Sequence, residues 1–155
     1  MADKIKQTHK RTLYMCMTFL WIVVIFSFSL QSGEESGQLS GGIVSWIVEK
    51  LSLTKFMDID TIHFLVRKTA HFTEYFILGT FSLLTLLQTK FPKKGIIGIF
   101  FCIIIASFDE TIQLFVGGRA GQLMDVVLDS SGSLCGILFI RILDILRTAC
   151  RKLYR

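Results

Sequence analysis

The sequence predicts an all-α membrane protein, a four-transmembrane-helix bundle with two short amphipathic external helices between spans one and two. Three observations lead there. Long uncharged blocks alternate with short, heavily charged ones along the 155 residues, the pattern of a small polytopic membrane protein. The chain is 52% hydrophobic and 19% charged, with 14 Phe and a single Pro, which excludes a disordered chain. The basic residues cluster at alternate ends of the apolar blocks, which fixes an orientation. One domain is expected at this length.

The elements follow in order. Residues 1–11 form a basic tail with Lys4, Lys6, Lys10 and Arg11. Thr12 to Leu30 is 19 residues without a charge, enough at about 1.5 Å per residue to cross most of a ~30 Å hydrocarbon layer. Its apolar run is long for a signal peptide and no small-residue cleavage site follows, so an uncleaved anchor is expected. Residues 31–68 form the external cap. It opens on a polar, turn-rich Gln31-Ser-Gly-Glu-Glu-Ser-Gly. Ile43, Ile47, Val48 and Leu51 then recur at helical spacing, with Trp46 as an interfacial ring, and a second short helix is expected from Ile59 to Arg67. Thr69 to Leu87 is the second span, interrupted by His71 and Glu74, and Gly95 to Val116 is the third. Met124 to Leu146 is the fourth, and residues 147–155 are a second basic tail. The single membrane domain thus covers residues 12–146.

With four spans, the two tails and the Lys90–Lys94 loop lie on one side and carry eleven of the seventeen basic residues. Ten of the twelve acids lie on or near the other side. Both termini are therefore expected in the cytoplasm, with the chain in the plasma membrane. The net charge of +5 is accounted for by anchoring to the inner leaflet, and a nucleic-acid role has no support. No cysteine falls in an external loop, so no structural disulfide is expected. Asp144 and Arg141 read as an interfacial pair near the inner end.

Ionisable residues inside spans are costly and persist where they face the bundle interior. Here they meet at one depth. Gln31 and Ser32 close the outer end of span one, and His71 and Glu74 sit in the first two turns of span two. Asp109, Glu110 and Gln113 end span three, while Asp125 and Asp129 begin span four. Lys68, His71 and Tyr75 share one helix face, as do Asp109 and Gln113, and Asp125 and Asp129. Gly132 and Gly136 continue the aspartate row as a small-xxx-small stripe, which permits a close helix approach. Arg119 is carried on a glycine-rich reversal, Val116-Gly-Gly-Arg-Ala-Gly-Gln, and could pair inward with Asp109, Glu110 or Asp125, or outward with a phospholipid or wall polymer.

Each residue has a plainer reading beside the functional one. His71 with Glu74 could be a general base and its orienting carboxylate, a pair of metal ligands, or packing glue. Glu110 could serve acid–base or metal chemistry, or pair with Arg119. Asp125 suits a helix N-terminus. Five carboxylates in a partly dry site call for compensation by protonation or by a cation. That cation is a divalent metal on His71, Glu110 and Asp129, or an amine on a wall precursor or teichoic acid.

Gln31-Ser32, Lys68-Thr-Ala-His-Phe-Thr-Glu-Tyr75, Asp109-Glu-Thr-Ile-Gln-Leu-Phe115, Gly118-Arg119 and Asp125-Val-Val-Leu-Asp-Ser-Ser-Gly132 together resemble the VanZ-like family of small bacterial membrane proteins. The resemblance runs from Gln31 to Gly136. It implies a role in low-level resistance to the glycopeptide teicoplanin and supplies no chemistry. The leading expectation is a cell-envelope protein that binds a lipid-anchored wall component in the outer leaflet. Gln31, Ser32, Lys68, Tyr75, Gln113, Arg119, Asp125 and Asp129 would then be its ligand-binding residues. The second is an intramembrane hydrolase or transferase on a lipid-linked precursor, with His71 as base, Glu74 as orienter, Asp109 and Glu110 as metal or acid groups, and Arg119 as anion clamp. An ion-coupled carrier is weaker, because the inner half offers no polar relay.

Overall fold

The computed structural model describes residues 2–51, 58–119 and 121–153. All regular structure among them is helical: α1 (Ala2–Ser29), α2 (Gly33–Leu51), α3 (Ile59–Leu87), α4 (Lys94–Leu114) and α5 (Leu123–Leu153). Four stretches are long and apolar enough to cross a membrane, Gln7–Ser29, Ile59–Leu87, Lys94–Leu114 and Leu123–Arg151. The chain is a multi-pass membrane protein. Large apolar side chains on these helices, among them Phe19, Phe100, Phe108, Leu138 and Ile142, stay exposed, as a lipid-facing surface requires. α1 begins well before its apolar run and α5 ends well after its own, because the Lys, Arg and Gln residues that flank those runs are good helix formers.

The cap differs from expectation in two places, and both differences trace to helix caps. The polar stretch after span one is helical from Gly33 onward. Ser32 and Glu35 form a capping box: the Ser32 backbone N–H donates to Glu35 Oε2 at 2.9 Å, and the Glu35 N–H donates to Ser32 Oγ at 3.2 Å. Two orphan donors of the first turn are thereby satisfied. The Ser32 backbone N–H, and its hydroxyl at 3.0 Å, both donate to the Glu35 carboxylate and hold it below its ordinary value. Ser32→Ala is expected to cost α2 about 1 kcal/mol, read as faster amide exchange in its first turn with α3 unchanged.

The second expected helix, Ile59 to Arg67, does not stand alone; it is the opening of α3. Asp58 accepts from the Thr61 backbone N–H at 3.0 Å and from its hydroxyl at 2.7 Å, and that cap starts the helix at Ile59. No Gly or Pro then occurs before Gly79, so nothing breaks the helix between Arg67 and Thr69. Among the described residues, one separate helix, α2, therefore lies between spans one and two. The side chains of Ile47 and Leu51 fall outside the described residues.

α3 is the hub and packs on all four other helices, most extensively on α5. That contact is nearly backbone to backbone. A Cβ on Gly132 would stand 2.5 Å from the Phe72 carbonyl oxygen, one on Gly136 would run into the Phe76 carbonyl, and one on Gly79 of α3 into that of Ser133. The small-xxx-small row thus meets α3. Around this seam sit two apolar clusters. Ile25, Tyr75, Leu78, Cys102 and Ala106 join α1, α3 and α4, and Leu83, Ile137 and Ile140 join α3 and α5.

The reversal between α4 and α5 is clipped to the α1–α2 corner. Gly118 adopts a φ of +76°, which a glycine takes without strain. The Gly33 N–H donates to the Gly117 carbonyl at 3.0 Å, and Gly33 lies against the Gly118 backbone. Ala120 of this reversal lies outside the described residues.

Candidate functional site

Four helices deliver polar side chains to the end of the bundle where α1 stops and α5 starts. Helical periodicity buries them. Thr18, Ile22, Ile25 and Ser29 make one stripe of α1, and Asp125, Asp129, Gly132, Ser133, Gly136, Ile137 and Ile140 make the buried stripe of α5. His71, Tyr75 and Leu78 share the buried face of α3, and Asp109, Glu110 and Gln113 close that of α4. Because α3 begins at Ile59, His71 lies about three turns inside it rather than in its first two.

Ligand atoms of His71, Asp109, Glu110 and Asp129 all lie within 4.8 Å of one another, and all four residues are buried. Asp109 is the best satisfied. It accepts from the Ser29 hydroxyl and, at 3.4 Å, from the Gln113 side-chain amide. Glu110 does not pair with Arg119; its Oε2 accepts from the Gln122 backbone N–H at 2.8 Å, while Oε1 is buried with no hydrogen-bond partner. The His71 Nδ1 stands 3.5 Å from Asp129 Oδ1, beyond a good hydrogen bond. Asp129, rather than Glu74, is thus the carboxylate set against that nitrogen. Both oxygens of Asp129, the His71 Nδ1 and the Tyr75 hydroxyl have no hydrogen-bond partner among the described residues.

One turn toward the helix ends, Lys68 of α3 donates to Asp125 of α5, with its ammonium also 5.2 Å from the Phe64 ring centre. Asp125 is thereby taken by Lys68, and Arg119 pairs with none of the three carboxylates expected for it. Its Nη2 instead donates to the Phe28 carbonyl at 3.0 Å, in the last turn of α1, which also accepts from the Gln31 N–H at 3.3 Å. Its Nε is buried without a partner among the described residues. Burial first, and then the neighbouring Arg67 guanidinium, pull Arg119 below its ordinary value, against the carboxylates of Asp109, Glu74 and Glu110.

Beside the cluster lies a cleft of about 200 Å³, walled by Gln31, Arg67, His71, Glu74 and Arg119 on one side and by Ser36, Leu39, Ser40 and Ile43 of α2 on the other. Phe28, Ile43, Val66, Ala70 and Glu74 also line an apolar groove that continues past Trp21, Leu65 and Ile77 between α1 and α3. His71 belongs to both the cleft and the buried cluster. The Trp21 indole N–H donates to the Glu74 carbonyl at 2.8 Å, tying α1 to α3 where cleft and groove join.

The residues singled out from sequence therefore separate into four groups. His71, Asp109, Glu110 and Asp129 meet, with Tyr75 and Gln113 buried around them. Gln31, Glu74 and Arg119 line the cleft, Lys68 and Asp125 are engaged with each other, and Ser32 caps α2. Sequence reasoning missed Ser29 and Arg67. Ser29 was findable, since it lies four residues after Ile25 on the buried stripe, whereas Ser27 is exposed and bonds the Val23 carbonyl. Arg67 gave no signal beyond charge.

Comparison with known proteins points to a family. The family model described as VanZ/LLP1 matches residues 14–144, most of the chain. No curated protein and no solved structure matches it.

Proposed function

The chain belongs to the VanZ/LLP1 family, and from that premise we propose that it is a cell-envelope protein that engages a lipid-anchored wall component at the outer leaflet of the bacterial plasma membrane. The observation that carries this reading is the continuity of a polar cleft, with Arg67, His71, Glu74 and Arg119, into an apolar groove between α1 and α3. A ligand with a charged headgroup and a hydrocarbon tail matches both halves at once. Two guanidiniums suit phosphate, which arginine binds in bidentate fashion. The bias of basic residues toward the opposite end of the bundle supports cytoplasmic termini and an outward-facing cleft. Occupying such a wall component would lower the access of lipid-tailed glycopeptides such as teicoplanin.

The test is glycopeptide susceptibility in a deletion strain, complemented with wild type, His71→Ala, Arg119→Ala and Asp129→Asn at matched membrane abundance. Wild type is expected to restore tolerance to teicoplanin but not to vancomycin, and the three variants to fail. Full complementation by all three would overturn a role for the cleft. A hydrolase or transferase acting on a lipid-linked precursor is the second reading. It is favoured by one observation, His71 lying at the cleft wall with the Asp129 carboxylate 3.5 Å behind its Nδ1, an arrangement suited to a general base. An enzyme would lose turnover in Asp129→Asn. A binder would lose affinity, by about 1–3 kcal/mol per removed partner.

A further inference from the structure

We propose that the buried cluster behind the cleft is a divalent-cation site, with His71, Asp109, Glu110 and Asp129 as its ligands and a Mn²⁺- or Zn²⁺-type ion as its occupant. This inference stands apart from the choice of wall component.

Two independent observations carry it. The first is geometric. Four residues from three helices place one ligand atom each within 4.8 Å of one another. Ligands on opposite sides of an ion with bonds of about 2.1 Å stand about 4.2 Å apart. Closing the remaining gap asks only for small side-chain rotations.

The second is an accounting of polar atoms. Buried polar groups are normally satisfied, and each orphan calls for an explanation. Here four orphans fall on three of the cluster's own residues: Asp129 Oδ1 and Oδ2, Glu110 Oε1 and His71 Nδ1. Asp129 is 0% exposed, Glu110 5% and His71 7%. Two of the carboxylates are also positioned from outside the cluster. Glu110 is fixed through Oε2 by the Gln122 N–H and leaves Oε1 free, while Asp109 is oriented by Ser29 and Gln113. Ligating carboxylates held by outer hydrogen bonds are the usual construction of a metal site.

Charge argues the same way. Three carboxylates and an imidazole share this space, and none of them is paired with a lysine or arginine among the described residues. Lys68 is committed to Asp125, and the described partner of the Arg119 Nη2 is the Phe28 carbonyl. Uncompensated carboxylates in a low-dielectric interior are strongly unfavourable, and a divalent ion offsets two of the three. One nitrogen with oxygen donors suits Mn²⁺, Fe²⁺ or Zn²⁺ over Ca²⁺ or Mg²⁺, which take all-oxygen shells. Since His71 lines both spaces, an ion here and an anionic headgroup in the cleft would be neighbours.

The experiment uses the full chain in detergent, stripped with EDTA and titrated with Mn²⁺ alone or Zn²⁺ alone. Free Mn²⁺ is read by electron paramagnetic resonance and bound metal by elemental analysis. The expected result is about one ion per chain, a higher melting temperature on loading and reversal by EDTA. Glu110→Gln and Asp129→Asn keep the side-chain shapes and should each weaken binding by about tenfold or more, while Glu49→Gln, on exposed α2 surface, should not. Wild-type chain that takes up neither ion overturns the proposal whatever the variants do, and so does stoichiometric uptake that both variants leave unchanged. Because no lipid or glycopeptide is present, a failure here leaves the headgroup reading standing, and the reverse is also true.

Discussion

Gly136→Ala is expected to destabilise the detergent-solubilised chain by about 1–3 kcal/mol, roughly 2–12 °C in melting temperature for a chain of this size. A single methyl group has this effect because of what it would meet. Its Cβ would run into the Phe76 carbonyl oxygen and stand 3.0 Å from the Thr80 backbone nitrogen. Both belong to the α3 backbone, which cannot rotate aside as a side chain would. Gly79→Ala approaches the same seam from the other helix, against the Ser133 carbonyl, and a similar loss is expected. Gly42→Ala supplies the control. Its Cβ meets nothing within 4 Å, so replacing a helical glycine there should stabilise by about 0.5–1 kcal/mol. The consequence reaches the site, because His71 and Asp129 face each other across this same α3–α5 approach. A neutral Gly136→Ala would mean the helices lie further apart, and the His71–Asp129 separation would then be larger as well.

The difference between those glycines shows what a sequence discloses. The row Asp125, Asp129, Gly132, Gly136 was legible because helical spacing puts fourth residues on one face, and the small-xxx-small pattern names a close neighbour. It does not say which neighbour, and only packing identifies α3. The four spans were legible for a similar reason, since hydrocarbon thickness sets a length that composition either meets or fails. The cap was less so. Ser32-x-x-Glu35 and Asp58-x-x-Thr61 are start signals carried by two side chains each, easily overlooked inside a polar stretch that reads as a turn. Convergence of His71, Asp109, Glu110 and Asp129 followed from depth alone, because a bilayer aligns helix ends. Pairings did not follow. Arg119 and Lys68 compete for the same carboxylates in any sequence argument, and the structure gives Asp125 to Lys68 because Lys68 sits on α3, opposite α5. Arg119, on the reversal, is left to the end of α1.

That Lys68–Asp125 pair supports the second large effect. Lys68→Met should destabilise the chain by about 2–3 kcal/mol, since it strands a buried carboxylate. The side chains are 22% and 9% exposed, dry enough for the loss to be felt and wet enough to keep it below the cost of a fully buried pair. Replacing both, Lys68→Met with Asp125→Leu, removes the stranded charge and should return stability to near the wild-type value. The coupling in this cycle would be about 1 kcal/mol or more. Two polar pairs between α3 and α5 form successive rungs: Lys68–Asp125, then His71–Asp129 one turn further along each helix. Only the second touches the cleft. The double variant should therefore keep teicoplanin tolerance along with stability, while His71→Ala loses tolerance even where it folds. If the double variant regains its melting temperature but not tolerance, the first rung belongs to the site and the ligand extends over both. If it regains neither, the pair is needed for the two helices to register, and the second rung depends on the first.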